Sequence, residues 1–164
     1  MRWQPRNPVS VATKSRTRTV TAAPQVVWDV LADFGSLSSW ARNVDHSCLL
    51  EHGLSEHGAD GVGVGTSRRV QIGRNALVER VTDCMPPTTL GYDIEGLPRR
   101  LHRVSNCWTL TPTTQGFTAV TLTTTVEIGT NPVAQVAEQA LCRLMTKQSD
   151  VMLAGLAERV EGRR

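Results

Sequence analysis

Arg68 and Glu79 stand opposite each other if Gly73 and Arg74 close a two-residue hairpin, and this pairing is the strongest chemical signal in the sequence. Side chains on a strand alternate faces with period two, so the turn fixes the register of both arms. Ile72 then opposes Asn75, Val70 opposes Leu77, Arg68 opposes Glu79 and Thr66 opposes Val81, all on one face. Val70, Leu77 and Val81 mark that face as the inner one, while Ser67, Arg69, Arg80 and Thr82 give the other a solvent pattern. A guanidinium and a carboxylate on an inner wall need each other, because a lone buried charge is strongly destabilising. Such a pair either presents charge to a polar group of an apolar ligand, or activates a carbonyl for proton transfer. The alternatives are a satisfied structural pair, or a one-residue slip that turns both side chains to water.

The same alternation sends Leu90, Tyr92 and Ile94 inward on the next strand. His102, Val104, Asn106, Trp108 and Leu110 follow, then Val120, Leu122, Thr124 and Val126. A tyrosine on an inner face finds a hydrogen-bond partner, and a ligand oxygen serves as well as a protein one. Arg68, Glu79 and Tyr92 are therefore the candidate catalytic residues. Candidate ligand contacts on the sheet are Val70, Leu77, Tyr92, Asn106, Trp108 and Leu122. Trp108 reads as core or as a surface for a ring ligand, and His102, near a strand end, as solvated.

These residues need strands and helices to hold them. The stretch TAAPQVVWDVLADFGSLSSW, Thr21 to Trp40, supplies a strand end, a helix, a break and a second short helix. Pro24 suits a first helical turn, where its missing N–H is an orphan anyway. Val27, Val30, Leu31 and Phe34 form a helical stripe, Gly35 ends it, and Ser36 is placed to cap the next segment. Trp28, mid-helix, packs helix against sheet. A first strand over Arg16–Thr21 precedes this stretch. Five or six more strands are expected, with Val44–His52, Gly65–Ile72, Asn75–Asp83, Thr89–Glu95, His102–Thr111 and Phe117–Ile128 as the candidates, separated by glycine and proline turns. Asn131 and Pro132 then open a long helix running to about Arg159. Its apolar face is expected to carry Val133, Ala137, Leu141, Leu144, Val151 and Leu156, with Ala140, Met145 and Met152 beside it. Gln148 interrupts that stripe, so Leu141, Met145 and Gln148 are its candidate ligand contacts.

At 164 residues and 40% hydrophobic content the chain is long enough for a single core. The expected organisation is a tail over 1–15, one domain over 16–160 and a short tail over 161–164. No apolar run approaches the length of a membrane span or a signal-peptide core, so a cytoplasmic location is the default. The net charge is +3, with basic residues concentrated near the ends, and no aromatic lies in a basic recognition motif, which argues against a nucleic-acid partner. Cys48, Cys84, Cys107 and Cys142 are too scattered for a zinc or redox motif and read as buried thiols. His46, His52 and His57 cluster with Asp45, Glu51, Glu56 and Asp60, yet on a strand end and a glycine-rich loop, so no metal is expected. The run GADGVGVG precedes a strand where a dinucleotide fingerprint requires a helix, and reads as a connection or gate.

One strand, two short helices, a run of antiparallel strands and a long final helix resembles the helix-grip, START-like superfamily. APQVVWDVLADFGSLSSW, GVGTSRRV, LVERVTDCMPPTTLGYDI and the asparagine-proline start of the last helix look like a polyketide cyclase/dehydrase family member, over residues 17 to about 158. The resemblance implies an α+β fold: a curved antiparallel sheet of six to seven strands around the C-terminal helix, with a cavity for an apolar molecule between them. It also puts Trp40 at the cavity mouth, as a further ligand contact. Members include cyclases and carriers, so fold alone does not supply function.

Three functions fit. The first is a carrier or sensor for a small hydrophobic ligand, lipid or polyketide-like, needing no cofactor. The second is a cofactor-independent cyclase or dehydratase acting on an enolisable poly-keto substrate through Arg68, Glu79 and Tyr92. The third is a non-catalytic protein-interaction module with a filled interior. The sequence leaves the oligomeric state open.

Overall fold

Glycine and proline turns separate the strands, and all but the first pair with a neighbour in sequence. The computed structural model describes residues 9–54, 61–98, 101–129 and 132–162. The elements are β1 (Val9–Val20), α1 (Pro24–Ala32), a 3-10 helix (Phe34–Ser39), β2 (His46–Glu51), β3 (Ser67–Ile72), β4 (Asn75–Met85), β5 (Thr89–Glu95), β6 (Leu101–Pro112), β7 (Thr118–Gly129) and α2 (Pro132–Glu161). The seven strands form one sheet in the order β1-β7-β6-β5-β4-β3-β2, and each neighbouring pair is antiparallel. Helix α2 packs on β1, β7 and α1. This is the helix-grip architecture that the sequence resembles.

The hairpin register holds: Ile72 pairs with Asn75, Val70 with Leu77 and Arg68 with Glu79, and the Val81 N–H donates to the Thr66 carbonyl at 2.9 Å. Gly73, at φ +58, takes the left-handed conformation that the two-residue turn demands. Strand β7 alternates buried and half-buried residues along its whole length, with Val120, Leu122, Thr124 and Val126 inward as expected. Trp28 is buried in the core beneath α1.

Several expectations need correction. Strand β1 begins at Val9, so residues 9–15 belong to the sheet and not to a tail; they pair with β7 from Val9–Gly129 onward. Val9, Val11 and Thr13 are strand formers in the stretch expected as tail, and outward hydroxyls meet across the pairing, Ser15 with Thr123 and Thr17 with Thr121 at 2.8 Å each. At the other end Glu161 is part of α2, and its carboxylate accepts the N–H (3.0 Å) and hydroxyl (3.1 Å) of Thr21. The second short helix starts at Phe34, with Asp33 at its cap position, and Ser36 donates to the Asp33 carboxylate at 2.8 Å instead of capping. His102 sits at a bulge between Leu101 and Arg103, so Leu101 takes the inner place and His102 is exposed. Ser67, expected outside, is buried. Cys48 is exposed, and Cys84 and Cys107 are half-buried. The burial face of α2 is also different: Met152, Leu153, Leu156, Ala157 and Val160 are buried, whereas Leu144 and Val151 are 55% and 39% exposed. The side chains of Val133 and Ala137, like Trp3 and His57, lie outside the described residues.

Where α2 crosses the 3-10 helix, Gly155 makes the approach possible. A Cβ there would lie 2.2 Å from the Trp40 carbonyl oxygen, inside contact distance. The large core cluster gathers around this crossing, from Phe34, Leu37 and Trp40 to Trp108, Leu122 and Leu156. A second, smaller cluster holds Val104, Val126 and Ile128, with half-buried Ile94, Leu97, Leu101, Leu141 and Met145 packed against it.

Candidate functional site

Arg68 and Glu79 are brought together on the inner face by the β3–β4 register, and both are nearly inaccessible at 3% and 6%. The guanidinium donates to Glu79 Oε2 through Nε at 2.7 Å, with Nη2 2.6 Å from the same oxygen. Its Nη1 donates to the Phe34 carbonyl at 2.9 Å, at the start of the 3-10 helix. The guanidinium carbon stands 3.9 Å from the centre of the Phe34 ring and 5.1 Å from that of Tyr92. Those two rings meet edge to face at 5.7 Å. The charge is thus held by one carboxylate, one carbonyl and two π faces.

Tyr92, fully buried on β5, extends this arrangement toward the centre of the sheet. Its hydroxyl oxygen accepts from Trp108 Nε1 at 3.4 Å and from Asn106 Nδ2 at 3.5 Å. Thr124 donates to Asn106 Oδ1 at 2.6 Å. Burial pushes the phenol pKa up to about 12, with the Glu79 charge adding to the rise and Arg68 and the two hydrogen bonds opposing it. At neutral pH Tyr92 therefore keeps its proton, and it is a hydrogen-bond donor in waiting, not a base. The Cys84 and Cys107 thiols are also pushed up, in each case chiefly by burial, which disfavours thiolate chemistry at either.

The other predicted contacts divide between the two clusters. Val70, Trp108 and Leu122 lie in the large one, and so does Trp40, 8% exposed and packed edge to face on Trp108 at 6.1 Å. Gly155 lets α2 come close over Trp40, which also lines an open pocket of about 580 Å³ with Ser38, Val44 and Gly155 among others. Leu141 and Met145 belong to the second cluster. Leu77, near the exposed end of its hairpin, is half-buried and joins neither. Gln148 accepts a short hydrogen bond from Asn43 Nδ2.

Three participants escaped the sequence reading as site residues. Phe34 was legible as apolar but not as the carbonyl and ring that hold Arg68. Thr124 was legible as inward but not as the partner of Asn106. Asn43 carries no local signal, since its partner is on a helix far along the chain. Trp40 Nε1 and Asn43 Oδ1 are buried without a hydrogen-bond partner. Two members of the acidic and histidine cluster are otherwise engaged: Asp45 accepts the Gly73 N–H at 2.5 Å, and Glu51 pairs with Arg80 at 2.8 Å. Glu56, His57 and Asp60 lie outside the described residues. A surface pocket of about 330 Å³ between the 3-10 helix and the segment before β3 is lined by Phe34, Ser36, Leu49, His52 and Val62 among others, and so reaches the residue that holds Arg68.

Comparison with known proteins bears on the fold and the family. The sequence profile of the family described as polyketide cyclase / dehydrase and lipid transport matches residues 12–161. No curated protein sequence matches. Among solved structures, the chain is similar to the Zhui aromatase/cyclase from a Streptomyces species, with a TM-score of 0.76, 19% identity, and coverage of 94% of this chain and 96% of that one. It is similar to the di-domain aromatase/cyclase StfQ of the steffimycin biosynthetic pathway, with a TM-score of 0.74 and 18% identity over 93% of this chain and 51% of that one. It is also similar to Ara h 8.0201, with a TM-score of 0.69 and 16% identity over 93% and 99%. At these identities the likeness to the solved structures speaks for the fold, while the profile match spans nearly the whole domain: the chain belongs to the polyketide cyclase/dehydrase and lipid transport family.

Proposed function

We propose that the protein binds an apolar, carbonyl-bearing small molecule of the polyketide or lipid class between the sheet and α2, as a carrier or sensor. The observation that carries this reading is the row of buried polar groups, Arg68, Glu79, Tyr92, Asn106 and Thr124, on an otherwise apolar inner face. On one side of the reading stands the large, closely packed cluster. On the other stand Ile94, Leu101, Leu141 and Met145, apolar yet only half-buried, a surface suited to an apolar guest. The guest's hydrocarbon lies over this second cluster, and its carbonyl meets the polar row. Tyr92, held neutral, donates to that carbonyl, and Arg68 adds positive field from behind.

A second reading, cyclase or dehydratase, draws on the same neutral phenol beside a guanidinium, which would stabilise a developing enolate. It is less favoured because Glu79, the natural base, is buried and committed as counter-charge to the Arg68 guanidinium.

The test is fluorescence titration with a hydroxyanthraquinone, using the parent chain and Tyr92→Phe. Loss of one hydrogen bond weakens binding by about 2- to 13-fold. Failure of the parent to bind the anthraquinone or extracted lipids, or equal binding by the variant, defeats the assignment. Turnover of a poly-β-keto thioester that falls in Glu79→Gln would move the choice to the second reading.

A further inference from the structure

The outward side of α2 is the second place where the chain departs from ordinary surface chemistry. Val136, Ala140, Leu144 and Val151 recur along one line of the helix, opposite the buried Met152 and Leu156, and all four are exposed, Val136 by 73%. Arg143 and Lys147 lie on the same line, both exposed. Beside it, a groove of about 730 Å³ separates α2 from β1 and is lined by Lys14, Arg16, Gln139, Arg143, Lys147 and Asp150, among others. Four cations therefore meet one carboxylate, and Asp150 is already paired with Arg16 at 3.3 Å. A solvated helix face normally interleaves acids with its bases; here valine and leucine stand among arginine and lysine, and the acids along the line, Asp150 and Glu158, are each paired with an arginine from outside α2.

We propose that this face of α2, with the cationic groove beside it, docks on an anionic phospholipid surface. Charge and shape both fit such a surface. The apolar groups are single side chains standing out from a convex helix, the form that enters a headgroup boundary, while the flanking Lys and Arg reach phosphates and bury their stems. A folded acidic partner would instead call for a recessed apolar seat. No described helix is long and apolar enough to cross a membrane, so the contact is peripheral. This proposal does not depend on what the interior holds.

The experiment is co-sedimentation of the full chain with vesicles of phosphatidylglycerol and phosphatidylcholine, and with phosphatidylcholine alone. Binding is expected only to the anionic vesicles, and to fall with salt. Arg143→Gln with Lys147→Gln should weaken it about thirtyfold, from the usual contribution of a surface cation. Leu144→Ser with Val151→Ser should weaken it at constant charge. Because these side chains are exposed, thermal melting is expected to be unchanged; if either pair unfolds the chain, Lys14→Gln on the other wall of the groove replaces it, with about a fivefold loss expected. No binding to anionic vesicles, equal binding to neutral ones, or insensitivity to the charge changes overturns the proposal. Retention on immobilised polyglutamate without vesicle binding would make the face a protein dock, and would also overturn it.

Discussion

Replacing Glu79 by Gln tests the central arrangement, since it leaves the Arg68 guanidinium buried without its counter-charge. The two side chains are 4% and 8% accessible, so water cannot take the place of the lost carboxylate. Removing one partner of a buried pair costs about 3–5 kcal/mol. The glutamine oxygen still accepts one N–H, and the Phe34 carbonyl at 2.9 Å and ring at 3.9 Å stay in place. These retained contacts offset on the order of 1 kcal/mol, leaving a net loss of about 2–4 kcal/mol. Urea unfolding should show a lower midpoint at unchanged slope, and melting should fall by about 4–16 °C at the 2–4 °C per kcal/mol of a domain this size. The companion variant, Arg68→Met with Glu79→Leu, removes both charges and keeps most of the volume. Its stability should lie within about 1–2 kcal/mol of the parent or above it, while hydroxyanthraquinone binding is weakened. A single variant within about 0.5 kcal/mol of the parent, or a double variant as damaged as the single, would refute the idea that each charge is buried at the other's expense.

Two further outcomes are expected. Tyr92 is the only tyrosine in the chain, so tyrosinate absorbance reads it alone: the folded protein should ionise near pH 12, and the urea-unfolded chain near the ordinary value of about 10. Since the folded pKa is raised, this group's stabilisation of about 2–3 kcal/mol is complete below about pH 10 and is lost as pH rises toward 12; a folded-state transition at the ordinary value would contradict the burial of the phenol. Gly155→Ala sets a methyl 2.2 Å from the Trp40 carbonyl and should destabilise by about 1–3 kcal/mol in urea despite alanine's better helix propensity, and a stabilised variant would show that α2 does not approach the 3-10 helix so closely.

Much of the fold was legible because its signals are local. Pro24, the Gly73–Arg74 turn and Pro132 each act on their own few residues, and the elements they bound appear where they should. The Arg68–Glu79 pairing was legible for the same reason, as a two-residue turn fixes the register on both arms. Strand β1 was less so, because its first half is held by β7 from the far end of the chain. The α2 stripe misled because that helix carries apolar residues on two sides, and periodicity cannot say which side meets the sheet. The burial of Trp40 was not legible for a related reason: it depends on Gly155, whose missing Cβ matters only once α2 lies across it.

The sequence by itself determined the order of elements, the hairpin register, and the inward direction of Arg68, Glu79, Tyr92 and Asn106, because turns and period-two alternation act within one or two strands. The tertiary structure alone decided what those groups became. It assigned the Phe34 carbonyl and ring to Arg68, Thr124 to Asn106 and the Trp108 indole to Tyr92, and it turned Leu144 and Val151 to the outside. Each of these depends on which distant segments come into contact, and side-chain partnership at a distance has no period for a sequence to display.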